Sequence, residues 1–515
     1  MTRDERRGDY SARQADEPSL QAVDTATLSG ITDHDRAAHS GVLAPACDRL
    51  AYASDETGDP SNLDSYLVDP DGSNRRQLDV GAAGAETAPR DWGPDGRYLL
   101  VSDTSGDQTR GGVYDTEADV VTWLGDGERQ EEPIAFTPDG DRVLAIRTRD
   151  AADVGVVYDR ETGESHELDL PTGVSRFPRF GDAVLGDGRL LVVHTTPSTR
   201  PELLAYDLDS DTYETLVEAE YGDIDPATYR DADYFTVSAN GVADTPARAV
   251  EHDPAAELEI GCLLYDSGER PSPLVVNPHG GPGVQEKRSF DVYTQFLLMR
   301  GYSVLQMNYR GSAGRGREFR ERLYEDWGGA EQADVATAAE HVLDTRAWVD
   351  EERVGVFGGS YGGYSAYWQL VQYPELYDAG VSWIGVSDLE DMYENTMPHF
   401  KTELMEKYLG LPDENPDLYE ERSPVTHAEN LAAPLLIVHG VNDRRVPVSQ
   451  ARIMRDRLEE LGYERVEEPA DGGDDAAGEF EYRELGEEGH GSADIDQKIR
   501  SFRLVGDFFD RRLGE

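Results

Sequence analysis

Lysine is nearly missing from this chain. It occurs four times in 515 residues, at Lys287, Lys401, Lys407 and Lys498, so almost all of the 48 basic residues are arginine. Cysteine is rarer still. Cys47 and Cys262 stand far apart, which excludes a disulfide framework and any cysteine-based metal spacing. Both lie in apolar, strand-like stretches and read as buried free thiols. No apolar run is long enough to span a bilayer. The N-terminus, MTRDERRGDYSARQADEPSL, is charged throughout, and Arg6-Arg7 makes a poor twin-arginine signal without an apolar stretch behind it. A soluble, cytoplasmic protein is the expectation. The 11 histidines are scattered, with no HExxH or similar spacing, so neither a metal nor another cofactor is expected.

What is abundant is negative charge. Acidic residues number 104, the formal net charge is −56, and the acids are spread along the whole chain. Such a surface repels nucleic acid and anionic lipid, so neither is an expected partner. Together with the arginine bias, it resembles proteins of extreme halophiles, which work at high salt. Hydrophobic residues make up 38%, low but enough for a packed interior. A chain this long exceeds one ordinary core and implies at least two domains.

The first half repeats itself. APACDRLAYAS (44–54), GPDGRYLLVSD (93–103), TPDGDRVLAIR (137–147) and LGDGRLLVVHT (185–195) each read as a turn followed by a strand. Aligned on Arg49, Arg97, Arg142 and Arg189 they recur about every 47 residues. A second strand-like element follows each, ending in Asp69, Asp115, Asp159 or Asp207. A period in the mid-forties with about four short strands predicts a β-propeller blade. Four blades are visible, and segments 1–40 and 215–250 are candidates for a fifth.

Near residue 255 the pattern changes. Apolar strands now alternate with helical stretches: GYSVLQMNYRG (301–311), ADVATAAEHVLD (333–344), RVGVFGG (353–359), YSAYWQLVQYP (364–374), DAGVSWIGVSD (378–388), APLLIVHGVND (433–443), SQARIMRDRLEELG (449–462) and KIRSFRLVGDFFDRRL (498–513). This predicts a parallel sheet covered on both faces, with its site beyond the carboxyl ends of the strands. EEPADGGDDAAGEFE (467–481) reads as an exposed loop. The expected organisation is an N-terminal segment (1–40), a propeller-like domain (41–250) and a doubly wound α/β-hydrolase domain (251–515).

One short stretch carries the chemistry. In VFGGSYGGYSAY, Ser360 stands among four glycines between a predicted strand and a predicted helix, and Gly358 to Gly362 fits G-x-S-x-G. Such a serine sits on a tight turn, where side chains on its neighbours would collide, and the helix that follows points its N-terminus at developing negative charge. A serine hydroxyl needs a base, and the base needs an orienting acid. In this fold the order is serine, acid, histidine. Asp443 ends the strand-like LLIVHGVND, and His490, in GEEGHGS, is the one histidine beyond it. His439 lies inside the strand and reads as core; Asp388 is the rival acid. The oxyanion needs donors. The N–H of Tyr361 is one, and the loop His279-Gly280-Gly281-Pro282-Gly283 is the candidate for the other.

With these residues in place, the chain resembles the prolyl oligopeptidase family of serine peptidases, nearest its acylaminoacyl-peptidase and dipeptidyl-peptidase-like branch. The motifs are HGGPG (279–283), NYRGSAGRG (308–316), DWGG with Asp334 following, GGSYGGY (358–364), ERSPVTHAENLAAPLLIVHGVNDRRVP (421–447) and GEEGHG (486–491). The resemblance implies a propeller before or capping an α/β-hydrolase domain, and a triad of Ser360, Asp443 and His490. It also implies an oxyanion hole at Gly281 and Tyr361, and a contact from Arg445 to a substrate carbonyl, although a surface salt bridge fits Arg445 as well. About 250 residues cannot hold the seven or eight blades usual in the family, and no counterpart of the paired glutamates that hold a free N-terminus can be placed. Three readings follow: a serine peptidase acting on short peptides, a carboxylesterase with the same triad, and a propeller-binding protein with a degenerate hydrolase. The intact triad residues argue against the last. The oligomeric state, a homo-oligomer included, is left open.

Overall fold

Four aspartates mark where the strands of the first half turn back. The Asp115 carboxylate accepts the N–H groups of Glu117 and Ala118, that of Asp159 those of Glu161 and Thr162, and that of Asp207 those of Asp209 and Ser210. Asp69 takes Ser73 Oγ and Asn74 Nδ2 instead. Each turn then passes through a left-handed residue, Asn74, Asp119, Gly163 or Asp211, the residue types that tolerate positive φ.

The computed structural model describes residues 21–23, 28–34, 36–59, 62–178, 182–239, 258–466, 478–492 and 494–514. The turns above join the third and fourth strands of four antiparallel four-stranded sheets, the third and fourth of which are linked into one by a parallel pairing of Asp153 with Val174. These run Ala38–Leu43, Leu50–Ser54, Asp64–Val68 and Arg76–Gln77; Thr87–Trp92, Tyr98–Asp103, Arg110–Asp115 and Val120–Trp123; Gln130–Phe136, Arg142–Arg149, Ala152–Asp159 and Ser165–Glu167; Val174–Arg176, Leu190–Thr196, Thr199–Asp207 and Thr212–Val217. Successive side chains alternate faces, so neighbouring sheets share cores. Leu99 and Val101 pack with Leu67 and Trp92 of the first and second sheets. Leu100, between them, packs with Val113, Phe136 and Val156 of the second and third. Leu144 and Val157 continue the series with Leu190 and Tyr206 of the fourth. Sheets buried on both faces in this order are propeller blades, and there are four among the described residues.

The chain divides into two compact units: Met1–Glu220 with Gly314–Arg317, and Tyr221–Ala313 with Glu318–Glu515. The boundary therefore falls well before the expected 250, and the first blade starts at Ala38 rather than 41. Among the described residues, segment 215–250 adds no fifth blade: its strand Ala232–Ser238 pairs antiparallel with Glu259–Tyr265 in the second unit. In the N-terminal segment, Leu28–Gly30 pairs with Gln21–Val23 in a hairpin of its own; residues 1–20 and 240–257 lie outside those described. Cys47 corrects a second expectation. It is exposed, in the turn between the first two strands of blade one with φ +58°, whereas Cys262 is buried.

The second unit is built on a nine-stranded sheet. Its strands are β1 (Ala232–Ser238), β2 (Glu259–Tyr265), β3 (Ser272–Val276), β4 (Ser303–Asn308), β5 (Val349–Gly359), β6 (Ala379–Trp383), β7 (Leu435–Gly440), β8 (Glu464–Val466) and β9 (Glu479–Leu485), in the order β1-β2-β4-β3-β5-β6-β7-β9-β8. From β4 to β8 every neighbour is parallel. β3, β4 and β7 are buried along their whole length, hence their near-continuous apolar runs. Helices α1 (Val292–Met299), α2 (Ala330–Thr345), α3 (Tyr361–Gln372), α4 (Ser449–Leu461) and α5 (Ile495–Leu513) are the longer connections. The stretch read as a loop at 467–481 ends in β9, and its residues 467–477 lie outside those described. Among the described residues no helix is long and apolar enough to cross a membrane.

Candidate active site

β5 delivers Ser360. The serine has φ 59° and ψ −119°, a region that costs a non-glycine residue about 1–3 kcal/mol and is held only by its surroundings. The Ser360 N–H donates to Trp383 O at 2.9 Å, and α3 starts at the next residue. The glycines now have individual reasons. A Cβ on Gly358 would lie 2.2 Å from Gly362 O, one on Gly362 would lie 2.2 Å from Pro278 O, and one on Gly363 would lie 2.7 Å from Trp383 O. Gly359 is under no such pressure, since its nearest neighbour would be 4.0 Å away.

The loop after β3 comes up against this elbow. A Cβ on Gly280 would stand 3.0 Å from Gly359 O and 3.5 Å from Cβ of Ser360. Gly281 has φ +127°, open to glycine alone among ordinary residues. Asn277 ties the loop down by donating Nδ2–H to Phe357 O at 2.6 Å. His279 is buried, its ring stacked on Tyr309 at 4.3 Å with Nε2 2.8 Å from Ser312 Oγ. Burial pushes its pKa down to about 4, so it stays neutral near pH 7.

Asp443 and His490 meet beyond β7 and β9. Asp443 is buried; one carboxylate oxygen accepts the N–H groups of Arg445 (2.9 Å) and Val446 (3.0 Å), and the other accepts Nδ1–H of His490 at 2.7 Å. Gly440 lets the histidine loop approach, since a Cβ there would lie 2.4 Å from Gly489 O, and Asn442 N–H donates to Glu488 O at 2.8 Å. A carboxylate on Nδ1–H leaves Nε2 with its lone pair, the state a general base requires. Because the strands are parallel, the loop after β3, Ser360 after β5, Asp443 after β7 and His490 after β9 all leave the same edge of the sheet.

Other candidates go elsewhere. Asp388 caps a short helix, accepting the Asp391 N–H at 2.9 Å. His439 lies within β7, buried, with Nε2 donating to Val446 O at 2.8 Å and its pKa lowered by burial. Replacing His439 by alanine is therefore expected to cost stability, and His490→Ala to cost turnover. Melting curves and kcat for the two variants check this; a reversal of the two effects would contradict the chain-order assignment. Arg445 is exposed, its backbone engaged with Asp443 and with Thr396.

Two features escaped sequence reasoning. Arg310 of the NYRG motif and Asp334 form a buried two-pronged ion pair (2.6 and 2.8 Å), which gives both motifs a structural reason. Glu331 lies buried under Tyr361 and accepts its hydroxyl at 2.9 Å. Its only signal was an acid two residues behind a glycine pair, which reads as an ordinary helix-start residue. Among the described residues no cluster of acidic, histidine or cysteine side chains could hold a metal.

A parallel-centred sheet with a serine elbow, a glycine loop against it and an Asp–His pair on the same edge defines an α/β-hydrolase domain. Residues 288–515 of this chain match the model of the prolyl oligopeptidase family. Dipeptidyl aminopeptidase BIII of Pseudoxanthomonas mexicana is 34% identical over 187 residues, 36% of this chain and 27% of that protein. The acylamino-acid-releasing enzyme of Rattus norvegicus is 32% identical over 213 residues, 38% of this chain and 28% of that protein. The matches thus span less than a third of each relative's length. In fold, the chain is similar to a puromycin hydrolase crystal structure (TM-score 0.77, 23% identity, 96% of this chain and 72% of that one). It is also similar to an acylaminoacyl peptidase of Pyrococcus horikoshii (TM-score 0.71, 21% identity, 92% and 71%).

Proposed function

We propose that this protein is a serine peptidase that hydrolyses short peptides, in the manner of acylaminoacyl- or dipeptidyl-peptidases, through an acyl-enzyme on Ser360. The observation that carries the reading is the 2.7 Å bond from His490 to Asp443 at the sheet edge that also presents Ser360 at positive φ. In this reading His490 Nε2 takes the Ser360 proton as Oγ attacks the scissile carbonyl. The developing oxyanion is held by the N–H groups of Tyr361 and Gly281. His490 then protonates the leaving amine, and water repeats the sequence to free the acid. Arg445, exposed two residues after the acid, is assigned to a substrate backbone carbonyl. The charge of −56 with four lysines further supports work in a cytosol that holds high salt.

The amide specificity is tested with an aminoacyl anilide beside a short-chain aryl ester. The names of the relatives favour peptide bonds, so the expected result is efficient anilide hydrolysis that disappears with Ser360. Rapid ester cleavage with no anilide cleavage would overturn the peptidase reading and leave the serine assignment standing.

A further inference from the structure

We propose that Glu331 and Tyr309 are positioning residues that hold the two oxyanion donors from beneath, each through its own hydrogen bond. The proposal rests on the serine-hydrolase reading of Ser360 given above.

Glu331 is fully buried and its carboxylate is surrounded by donors: Gly328 N–H (2.5 Å), Gly329 N–H (3.0 Å), Gln332 Nε2 (3.0 Å) and Tyr361 OH (2.9 Å). Four donors converging on one carboxyl are the environment of an anion, since a protonated acid would turn its own hydrogen toward a donor. Burial nevertheless pushes its pKa up to about 7, with Asp326 adding to the rise. A buried anion close to a site that develops negative charge carries a cost that packing alone would remove by using glutamine or leucine. The geometry points to what the anion achieves. Tyr361 is both the first residue of α3 and the residue whose N–H faces the oxyanion. Its hydroxyl bond to Glu331, with its ring set between Trp327 (5.1 Å) and Tyr364 (5.0 Å), fixes the direction of that N–H.

Tyr309 does the same for the other donor. Its hydroxyl donates to His279 O at 2.9 Å, one peptide from Gly280 and two from Gly281. Its ring stacks on the His279 ring and lies 6.2 Å from that of Tyr361. The two anchors are therefore neighbours, but each grips a different backbone segment. A donor shifted by a fraction of an ångström loses much of its effect, and loss of one oxyanion donor typically costs about 10²–10³ in kcat.

The test is a set of conservative variants: Glu331→Gln, Tyr361→Phe, Tyr309→Phe and their pairs, with kcat expressed per site titrated by a fluorophosphonate. Expected is a fall of about 10- to 100-fold in kcat for each single variant, with KM within about threefold. Glu331→Gln weakens and Tyr361→Phe removes the same bond, so the pair should lose no more than Tyr361→Phe alone. Glu331→Gln and Tyr309→Phe act on different donors, so their losses should multiply. Binding of a peptide aldehyde, which forms a tetrahedral adduct, should weaken with kcat while product binding stays constant. Should Glu331→Gln fold poorly, the two phenylalanine variants carry the same test. Wild-type kcat per titrated site in the single variants, or a Glu331/Tyr361 pair whose losses multiply, would overturn the proposal. Absence of fluorophosphonate labelling in the wild-type protein would instead overturn the serine assignment and this proposal with it.

Discussion

Ser360→Ala is expected to abolish amide hydrolysis and leave the fold and its melting temperature intact. Loss of the nucleophile of a working triad lowers kcat by about 10⁶-fold, since neither the histidine nor the oxyanion donors have anything left to activate. The fold should not notice. The strained backbone at φ 59° is imposed by the Trp383 carbonyl and the packed glycines, and alanine meets the same strain with the same Cβ. Anilide turnover and a thermal melt of the purified variant check both halves. Activity within tenfold of wild type, with contamination excluded, would contradict the nucleophile assignment.

The second large effect is expected from salt. Lowering ionic strength should unfold the protein and end its activity together. Several basic residues are already engaged: Arg97 holds the Asp115 carboxyl down to about 2, and Arg452 does the same to Glu484. With 104 acids against 48 bases, carboxylates outnumber the basic groups more than two to one. Their repulsion reaches about 30 Å at 0.01 M salt and about 3 Å at 1 M. A domain's net stability is about 5–15 kcal/mol, a margin that unscreened repulsion of this size can consume. Both KCl and NaCl should rescue, because screening depends on ionic strength. Circular dichroism and anilide cleavage during stepwise dialysis from about 1 M to 0.01 M salt read the transition. A protein folded and active at the low end would show that the acidic surface is tolerated rather than required.

Much of this architecture could be read in advance because its signals are local. The blade turns announce themselves through an aspartate, which in three of the four caps the N–H groups two and three residues on, and a left-handed residue soon after. The elbow announces itself through glycines, most of which have no room for a Cβ, and the fold's chain order makes Asp443 and His490 the expected acid and base, a pair that lies within hydrogen-bond distance. What could not be read depends on partners far away in sequence. Ala232–Ser238 has the alternation of a blade strand, and only its pairing with Glu259–Tyr265 assigns it to the other sheet. Cys47 sits in an apolar stretch, but a turn with positive φ carries it to the surface. DAGVSWIGVSD reads as one strand to Asp388, yet Ile384 takes φ +45° and ends it at Trp383, leaving Asp388 to cap a helix. Glu331 reads locally as an ordinary helix-start acid, and its meaning comes from Tyr361, thirty residues on.

The central claim is that Ser360 is activated by His490, which Asp443 orients. Its most direct measurement is active-site labelling with a fluorophosphonate, read by mass spectrometry of the digested protein. The account predicts one label per chain, on Ser360, formed rapidly in the wild-type protein and slowed by orders of magnitude in both His490→Ala and Asp443→Asn. Labelling at another serine, or labelling of Ser360 at an unchanged rate without His490, would contradict it.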